Sequence, residues 1–300
     1  VKGEGASVVL STNVLFGVQS MYQKNGALTG MYYDTAMAAP MMAGICGSEI
    51  PEGESPDNSG LIPFRILILG NGSGTFATQC ERYYAAWAGP VEIDAVEIDQ
   101  SITDLAVEYF HLPDDVNVYT YDGRAFLNSA DKKYNVIMVD AYQDITIPFQ
   151  MASREFFGLV KDHLEDDGVM VVNLSMRGGE NGINTWLADT IATCFDEVWY
   201  ADVDLTFNRE IFASNDPGMM DNLRGYRGLW YSSSPEARSL SLYLETVDNK
   251  LVRYEAGENI MTDDRAPVEL LSMQAIDGII YDEAAYFKDI YKEKGIYHEI

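Results

Sequence analysis

Short apolar runs alternate with amphipathic stretches through the middle of the 300-residue chain. The run at 66–69 has no polar interruption, which is typical of a strand buried on both faces of a parallel sheet. We predict strands at 64–70, 91–98, 116–121, 134–140, 169–174 and 197–201, and helices at 75–87, 101–110, 123–130, 153–164 and 182–195. This βαβ series predicts an α/β fold with a doubly wound, mostly parallel sheet.

The pattern is weaker at both ends of the chain. Residues 1–60 contain short strand-like runs and form a predicted β-rich N-terminal region, with a helix over 31–46. A polar stretch rich in Gly, Pro and Ser at 47–60 marks the boundary to a Rossmann-like domain predicted over 61–300. Further along, we predict strands at 207–215 and 239–246 and a terminal helix at 282–295.

Three glycines, Gly70, Gly72 and Gly74, follow the first predicted strand of the main domain. Glycine permits a sharp turn and lets a ligand approach the backbone closely. The free N–H groups of the next helix would face this turn, as in many nucleotide sites. The dinucleotide fingerprint G-x-G-x-x-G requires a third glycine where Thr75 stands. The turn therefore predicts a nucleoside site of another kind.

Acidic residues follow the next three predicted strands: Glu97, Asp122 and Asp140. The carboxyl ends of parallel strands meet in one crevice, where ligands bind. A single Asp after a strand is more often a helix N-cap, but three acids in this order predict a shared site. Glu97 can accept the hydroxyls of a ribose and Asp122 an adenine amine, which leaves Asp140 to hold an amine and take its proton.

The charge balance narrows the choice of ligand. The chain has 20 basic and 47 acidic residues, a formal net charge of −27. Such a protein repels phosphates, which argues against nucleic acid or an anionic membrane as partner. A cation is favoured, and S-adenosylmethionine and its decarboxylated form both carry a sulfonium. We therefore expect one of these as co-substrate and a small-molecule amine as acceptor.

Cysteine spacing and hydropathy predict the compartment. The three cysteines form no metal-binding pattern, so we expect no metal cofactor and a reducing environment. No apolar run reaches about 18 residues, and no signal peptide is evident. We expect a cytoplasmic protein without direct membrane contact. The first residue is Val, which is also compatible with the soluble part of a longer membrane-attached protein.

The ordered motifs of the chain resemble those of the spermidine synthase family. The matching segments are "ILILGNGSG", "AVEID", "VYTYDGRAFL" and "YNVIMVDAY", and "TGMYYDTAMAAP" is similar to the family's Y-H-E…P segment. The resemblance implies a seven-stranded class I methyltransferase fold, a polyamine-related transferase activity, and a homodimer formed through the N-terminal strands.

The resemblance also implies roles for individual residues. Asp140 matches the catalytic acid, Glu97 the ribose-binding acid and Asp122 the adenine-binding acid. The other donor-binding positions are Gln19, Gly70, Gly72, Ser73 and Gly74. The acceptor-binding positions are Tyr33, Asp34, Tyr142 and Gln143.

Several positions depart from the family pattern. Ser73 stands where the family has an aspartate, and Gln143 replaces the second acid of D-x-x-D-P. Asp263 or Asp264 could supply the missing acid, although a helix cap with pairing to Arg265 is the commoner role for such residues. The segments "DAY…IPF" and "TDDRAPVE" resemble a divergent bacterial subgroup, which is often attached to membrane-spanning segments.

Two functional hypotheses follow. The first is a transferase that moves an aminopropyl or a methyl group to an amine, and the resemblance favours aminopropyl. The second is a non-catalytic nucleoside-binding module, a sensor or scaffold, which would keep Glu97 and Asp122 but alter the amine pocket. The presence of Asp140 favours the enzyme.

Overall fold

The computed structural model describes residues 1–11, 20–45, 62–85, 89–141, 147–174, 182–204, 206, 208–231, 234–275, 277–278, 281 and 288. Its strands are β1 (Lys2–Glu4), β2 (Ser7–Leu10), β3 (Ser20–Gln23), β4 (Phe64–Leu69), β5 (Val91–Glu97), β6 (Asn117–Thr120), β7 (Tyr134–Val139), β8 (Leu164–Leu174), β9 (Glu197–Asp202), β10 (Arg209–Ser214) and β11 (Val252–Arg253). Its helices are α1 (Tyr32–Ala36), α2 (Ala38–Met42), α3 (Thr75–Cys80), α4 (Gln100–Phe110), α5 (Gly123–Ser129), α6 (Arg154–Asp162), α7 (Ile183–Ala192), α8 (Met219–Trp230) and α9 (Pro235–Asp248).

The main sheet has the strand order β11-β9-β10-β8-β7-β4-β5-β6. Strands β8, β7, β4, β5 and β6 run parallel, and β10 lies antiparallel between β8 and β9. The predicted α/β, mostly parallel architecture is confirmed. The sheet has eight strands among the described residues, where seven were expected, because the two-residue β11 extends one edge.

The strand predicted at 239–246 is wrong, because this segment lies within helix α9. Ser234 caps the helix by accepting a hydrogen bond from the backbone N–H of Ala237, and Pro235 begins it. Its buried residues Leu240 and Leu244 are four positions apart, the spacing of one helical face. The alternation of apolar and polar residues is short here, and over a few residues the helix period of about 3.6 cannot be distinguished from the strand period of 2.

Other helices also differ from the prediction, in their bounds or in their existence. The helix predicted over 31–46 is two short helices, α1 and α2, which meet at Met37. Helix α3 continues as a π-helical turn at Glu81–Ala85. Helix α8 was not predicted at all. The boundary stretch 47–60 lies outside the described residues, as does all of the predicted terminal helix except position 288.

Two apolar cores sandwich the main sheet. One face packs against α1, α2, α3, α8 and α9, and the other against α5, α6 and α7. The central strands are apolar on both faces, as β4 shows with Ile66 and Ile68 on one side and Leu67 and Leu69 on the other. None of the helices in the described part of the chain is long and apolar enough to cross a bilayer.

The N-terminal strands form a separate antiparallel sheet, β1-β2-β3. Hydrogen bonds from Tyr33 link this sheet to helix α1. The Tyr33 hydroxyl accepts from the N–H of Met21 in β3 at 2.7 Å and donates to the Met21 carbonyl at 3.2 Å. This small sheet therefore lies beside the glycine turn: the side chain of Ser20 on β3 accepts a long hydrogen bond from the N–H of Ser73 at 3.4 Å.

Candidate functional site

The glycine turn between β4 and α3 has a backbone that only glycine adopts easily. Gly70, Gly72 and Gly74 have φ angles of 88°, 53° and 78°. A Cβ at Gly70 would lie 2.5 Å from the carbonyl oxygen of Asp140. The turn is therefore pressed against the end of β7, and side chains are kept away from the crevice above it.

Glu97 reaches the turn from the end of β5. Its Oε2 accepts from the N–H of Gly72 at 2.9 Å, and its Oε1 accepts from the N–H of Asp99 at 3.1 Å. The side chain is buried, with 7% exposure. An ionised carboxylate has about four acceptor positions, so these two bonds fix Glu97 and leave lone pairs for ligand hydroxyls.

Asp122 follows β6 on the same side of the sheet. Its Oδ1 accepts from the N–H of Ala125 at 2.8 Å and so caps helix α5. The backbone links it to Glu97, since the N–H of Tyr121 donates to the Glu97 carbonyl at 3.1 Å. The capping role leaves Oδ2 available, because no other described residue donates to it.

Asp140 follows β7, and two side chains donate to it. The hydroxyl of Tyr32 donates to Oδ2 at 2.7 Å, and Nδ2 of Asn173 donates to Oδ1 at 2.7 Å. Asn173 is itself oriented, because Nδ2 of Asn208 donates to its Oδ1 at 2.8 Å. These contacts hold the Asp140 carboxyl in a defined position beside the glycine turn.

Burial raises the pKa of Asp140 to about 7. The bonds from Asn173 and Tyr32 work in the opposite direction because they stabilise the ionised form, while the negative charge of Glu97 adds to the increase. A carboxyl group with this pKa can release and accept a proton near neutral pH, as a general base must.

Two of the residues assigned to acceptor binding have protein partners in this structure. Tyr33 is buried and bonded to Met21, as described above. Asp34 is completely buried, and its carboxylate accepts from the N–H groups of Thr29 and Gly30 at 2.6 and 2.5 Å and from Nε2 of Gln79 at 2.5 Å. The structure therefore does not bring Asp34 into the group around Asp140.

Of the remaining residues with a predicted role, some are described by the structure and others lie outside the described part. Ser73 is buried in the glycine turn, where its hydroxyl lies 3.3 Å from that of Thr75. Gln19, Tyr142 and Gln143 lie outside the described residues. Asp263, considered above as a substitute acid, is paired with Arg124 at 2.7 Å, and not with Arg265.

Sequence reasoning missed the partners of Asp140. Tyr32 is 108 positions away in the chain, and the family resemblance indicates its neighbour Tyr33 instead. Asn173 stands in a strand that reads as apolar, and only the paired strands β7 and β8 bring it to Asp140. One signal was visible, since a polar Asn in "VMVVNL" interrupts an otherwise apolar run near a strand end.

A further polar side chain at the turn has no partner. Asn71 is 7% exposed, and neither its Oδ1 nor its Nδ2 forms a hydrogen bond in the described part of the protein. Together with the narrow glycine backbone, this orphaned amide fits a polar ligand lying over the turn. The described side chains contain no cluster of three or more His, Cys, Asp or Glu arranged to hold a metal ion.

Comparisons with known proteins agree with this arrangement. The family model described as the spermine/spermidine synthase domain matches residues 53–178. A protein of Bifidobacterium longum (strain NCC 2705), named "Probable polyamine aminopropyl transferase", is 46% identical across 98% of the chain. The match covers 64% of that relative, so the chain spans less than two thirds of the relative's length.

Solved structures share the fold. Human methyltransferase-like protein 13 in complex with SAH has a TM-score of 0.51 at 22% identity, over 75% of this chain and 96% of that one. A spermidine synthase in complex with the transition state analogue AdoDATO has a TM-score of 0.50 at 18% identity, over 67% and 68% of the two chains. The chain is therefore similar to proteins with the spermine/spermidine synthase domain, in sequence over residues 53–178 and along the Bifidobacterium longum relative, and it shares its fold with the solved structures.

Proposed function

We propose that the protein is an aminopropyltransferase, which moves the aminopropyl group of decarboxylated S-adenosylmethionine to an amine. The observation that carries the proposal is the position of Asp140, a carboxyl with a pKa of about 7, against the glycine turn. The name of the Bifidobacterium longum relative, "Probable polyamine aminopropyl transferase", supports the same activity.

The donor would lie over the glycine turn. In this proposal Glu97 accepts the ribose hydroxyls with the lone pairs that its bonds to Gly72 and Asp99 leave over. Asp122 accepts from the adenine amine through Oδ2, while Oδ1 remains the cap of α5. Gly70, Gly72 and Gly74 admit the nucleoside, and Gln19 and Ser73 complete the donor pocket.

The acceptor would enter beside Asp140. An acceptor amine is an ammonium near neutral pH, so it must lose a proton before its nitrogen can attack. Asp140 accepts that proton through the oxygen positions that Tyr32 and Asn173 leave free. The nitrogen lone pair then forms a bond to the aminopropyl carbon, and the bond from that carbon to sulfur breaks. The electron pair of the broken bond stays on sulfur, which becomes a neutral thioether.

The charge of the site favours both substrates. The sulfonium of the donor and the ammonium of the acceptor are cations, and the chain carries a net charge of −27. Glu97, Asp122 and Asp140 form no salt bridge with any described residue, so no cation in that part of the protein is paired with them. We propose that Tyr142 and Gln143 contact the acceptor, and that Tyr33 and Asp34 support the acceptor side through their bonds to protein partners.

A donor and acceptor panel tests the proposal. The protein is incubated with decarboxylated S-adenosylmethionine or with S-adenosylmethionine, each with mono-, di- and triamines, and products are identified by mass spectrometry. We expect an aminopropylated amine and one equivalent of methylthioadenosine from the decarboxylated donor. A methylated amine from S-adenosylmethionine, or nucleoside binding without any product, would contradict the proposal.

The assembly is a second proposal. We infer a homodimer formed through the N-terminal sheet, since this sheet stands apart from the main one and carries its own strand edges. Light scattering after size-exclusion chromatography would measure the mass directly. A mass equal to one chain would overturn the dimer without affecting the proposed reaction.

A further inference from the structure

Glu210 is a buried carboxyl that the proposed reaction does not yet use. It lies in β10, paired on one side with Asn173 of β8 and on the other with Ala201 of β9. Its exposed fraction is 0%, and neither carboxyl oxygen has a hydrogen-bond partner in the described part of the protein. Buried polar groups are nearly always paired, so this exception needs an explanation.

The strand register places Glu210 in one row with Asp140. Residues directly opposite each other on neighbouring strands share a face of the sheet, so Asn173, Glu210 and Ala201 point to the same side. Asn173 contacts Asp140 at 2.7 Å, which puts Asp140 at the end of this row. Asp140 and Glu210 are then about two strand spacings apart, roughly 10 Å between Cα atoms.

Space is present at the other end of the row. A cavity of about 110 Å³ is lined by Ala201, Thr35 and Tyr243 among others. Since Ala201 is the strand neighbour of Glu210, the Glu210 side chain lies between Asp140 and this cavity. An extended molecule that begins at Asp140 would therefore meet Glu210 next.

None of the described residues pairs Glu210 with a cation. Its neighbour Arg209 alternates to the other face of β10, where it pairs with Asp202 at 2.7 Å and stacks on Tyr200. Among the described titratable groups, Asp140, Tyr32 and Tyr243 interact with Glu210, and none of these three carries positive charge. Burial, with the nearby charge of Asp140, raises the pKa of Glu210 well above its usual value.

A buried carboxyl without a partner lowers stability, and a bound cation would remove that penalty. Asp140 receives two hydrogen bonds from side chains, whereas Glu210 receives none from the described residues, so Glu210 is the carboxyl that lacks a partner there. An acceptor with two ammonium groups would supply one to each acid.

We propose that Glu210 is the second acid of the acceptor site and selects amines that carry a second ammonium group. The inference rests on the proposed function for the identity of the first acid, Asp140. It adds a specificity-determining residue on a strand that the sequence marks only by one acidic residue within "REIFAS".

Amine binding tests the inference without requiring turnover. Putrescine and butylamine have the same carbon chain, but only putrescine has a second amine. Their affinities are measured by calorimetry in the presence of methylthioadenosine, for the wild type, Glu210→Gln, and the exposed control Glu269→Gln. We expect the wild type and the control to prefer putrescine by at least about 30-fold, the loss typical of a truncated buried charge pair.

Glu210→Gln should reduce that preference to within about threefold, with butylamine affinity nearly unchanged, because only the second ammonium loses its partner. An unchanged preference in Glu210→Gln, or an equal loss for both amines, would overturn the inference. If the preference disappears as expected but no aminopropyl transfer occurs in the wild type, the proposed function fails while the role of Glu210 in binding stands.

Thermal stability separates this role from a structural one. Glu210→Leu removes the unpaired carboxyl, so Tm in the absence of ligand should rise by at least about 2 °C. The same variant should lose the stabilisation that putrescine gives to the wild type. A lower Tm in Glu210→Leu would mean that the carboxyl has a structural partner, and the inference would be wrong.

Discussion

Asp189 and Glu210 are both buried carboxyl residues, but their surroundings are opposite. Asp189 of α7 accepts from the hydroxyl of Tyr254 at 2.6 Å, from the N–H of Gly257 at 2.7 Å, and from both nitrogens of Asn259. Glu210 accepts from none of the described residues. The first carboxylate fastens the 254–259 segment to α7, and the second faces the side of the sheet that holds Asp140.

The pKa shifts follow the same division. Burial works to raise the pKa of Asp189, but the bonds from Tyr254 and Asn259 outweigh it and lower the pKa below the usual value. Burial raises the pKa of Asp140 and of Glu210 with fewer or no donors to oppose it. Burial alone therefore does not identify a functional acid. Asp189 accepts four hydrogen bonds that use its carboxylate for structure, whereas Asp140 accepts two and Glu210 accepts none from the described residues.

The largest effect is expected from Asp140→Asn. The amide cannot take the proton of the acceptor, so aminopropyl transfer should fall by about a thousandfold. Affinity for methylthioadenosine should stay within a few-fold, because Glu97 and Asp122 are untouched. Single-turnover kinetics and calorimetry measure the two quantities separately. Equal turnover in the variant would remove Asp140 from the mechanism.

Asp189→Ala should lower the stability of the fold and leave the rate of aminopropyl transfer nearly unchanged. It leaves the donors of Tyr254, Gly257 and Asn259 without an acceptor, and we expect the free energy of unfolding to fall by about 3 kcal/mol. Urea denaturation measures this change. At low temperature, the rate of transfer per folded molecule should remain near the wild-type value. A large loss of turnover at unchanged stability would contradict the structural role assigned to Asp189.

Much of the fold and of the donor side of the candidate site could be predicted from the sequence, but the acceptor side could not. The apolar runs of β4, β5 and β7 and the acids that follow them identified the sheet edge, because parallel strands end together. The partners of Asp140 were hidden, since Tyr32 and Asn173 meet it only through tertiary packing. Glu210 faces the site only because β10 is inserted antiparallel between β8 and β9, and local patterns do not specify that insertion.

The pH dependence should report Asp140 directly. With a pKa of about 7, the carboxyl is mostly protonated at pH 6 and mostly ionised at pH 8. Transfer under saturating substrate should therefore rise by about tenfold from pH 6 to pH 8. A flat profile across this range would show that another group takes the proton.

Stability has the opposite dependence on pH for this residue. The folded-state pKa of about 7 lies above the unfolded value near 3.8. The contribution of Asp140 to folding is thus present below about pH 4 and is lost as pH rises through 7. Asp140→Asn should reduce this loss between pH 5 and pH 8 in urea denaturation, which gives an independent control for the kinetic profile.

Tyr32→Phe should give the smallest effect. It removes one of the two donors that stabilise ionised Asp140, so the pH profile should move upward by about one unit, with a loss of a few-fold to tenfold at pH 7. Tyr83→Phe is the control, because the Tyr83 hydroxyl donates to the carbonyl of Gly26 at 3.2 Å and has no part in the proposed site. A shift in the control equal to that of Tyr32→Phe would contradict the assignment.

A crystal structure with methylthioadenosine and an acceptor amine tests the central claim most directly. We expect the adenosine over the glycine turn, with its ribose on Glu97 and its adenine amine on Asp122. The acceptor nitrogen should lie about 2.6–3.2 Å from a carboxyl oxygen of Asp140. An adenosine bound elsewhere, or an amine out of reach of Asp140, would contradict the account.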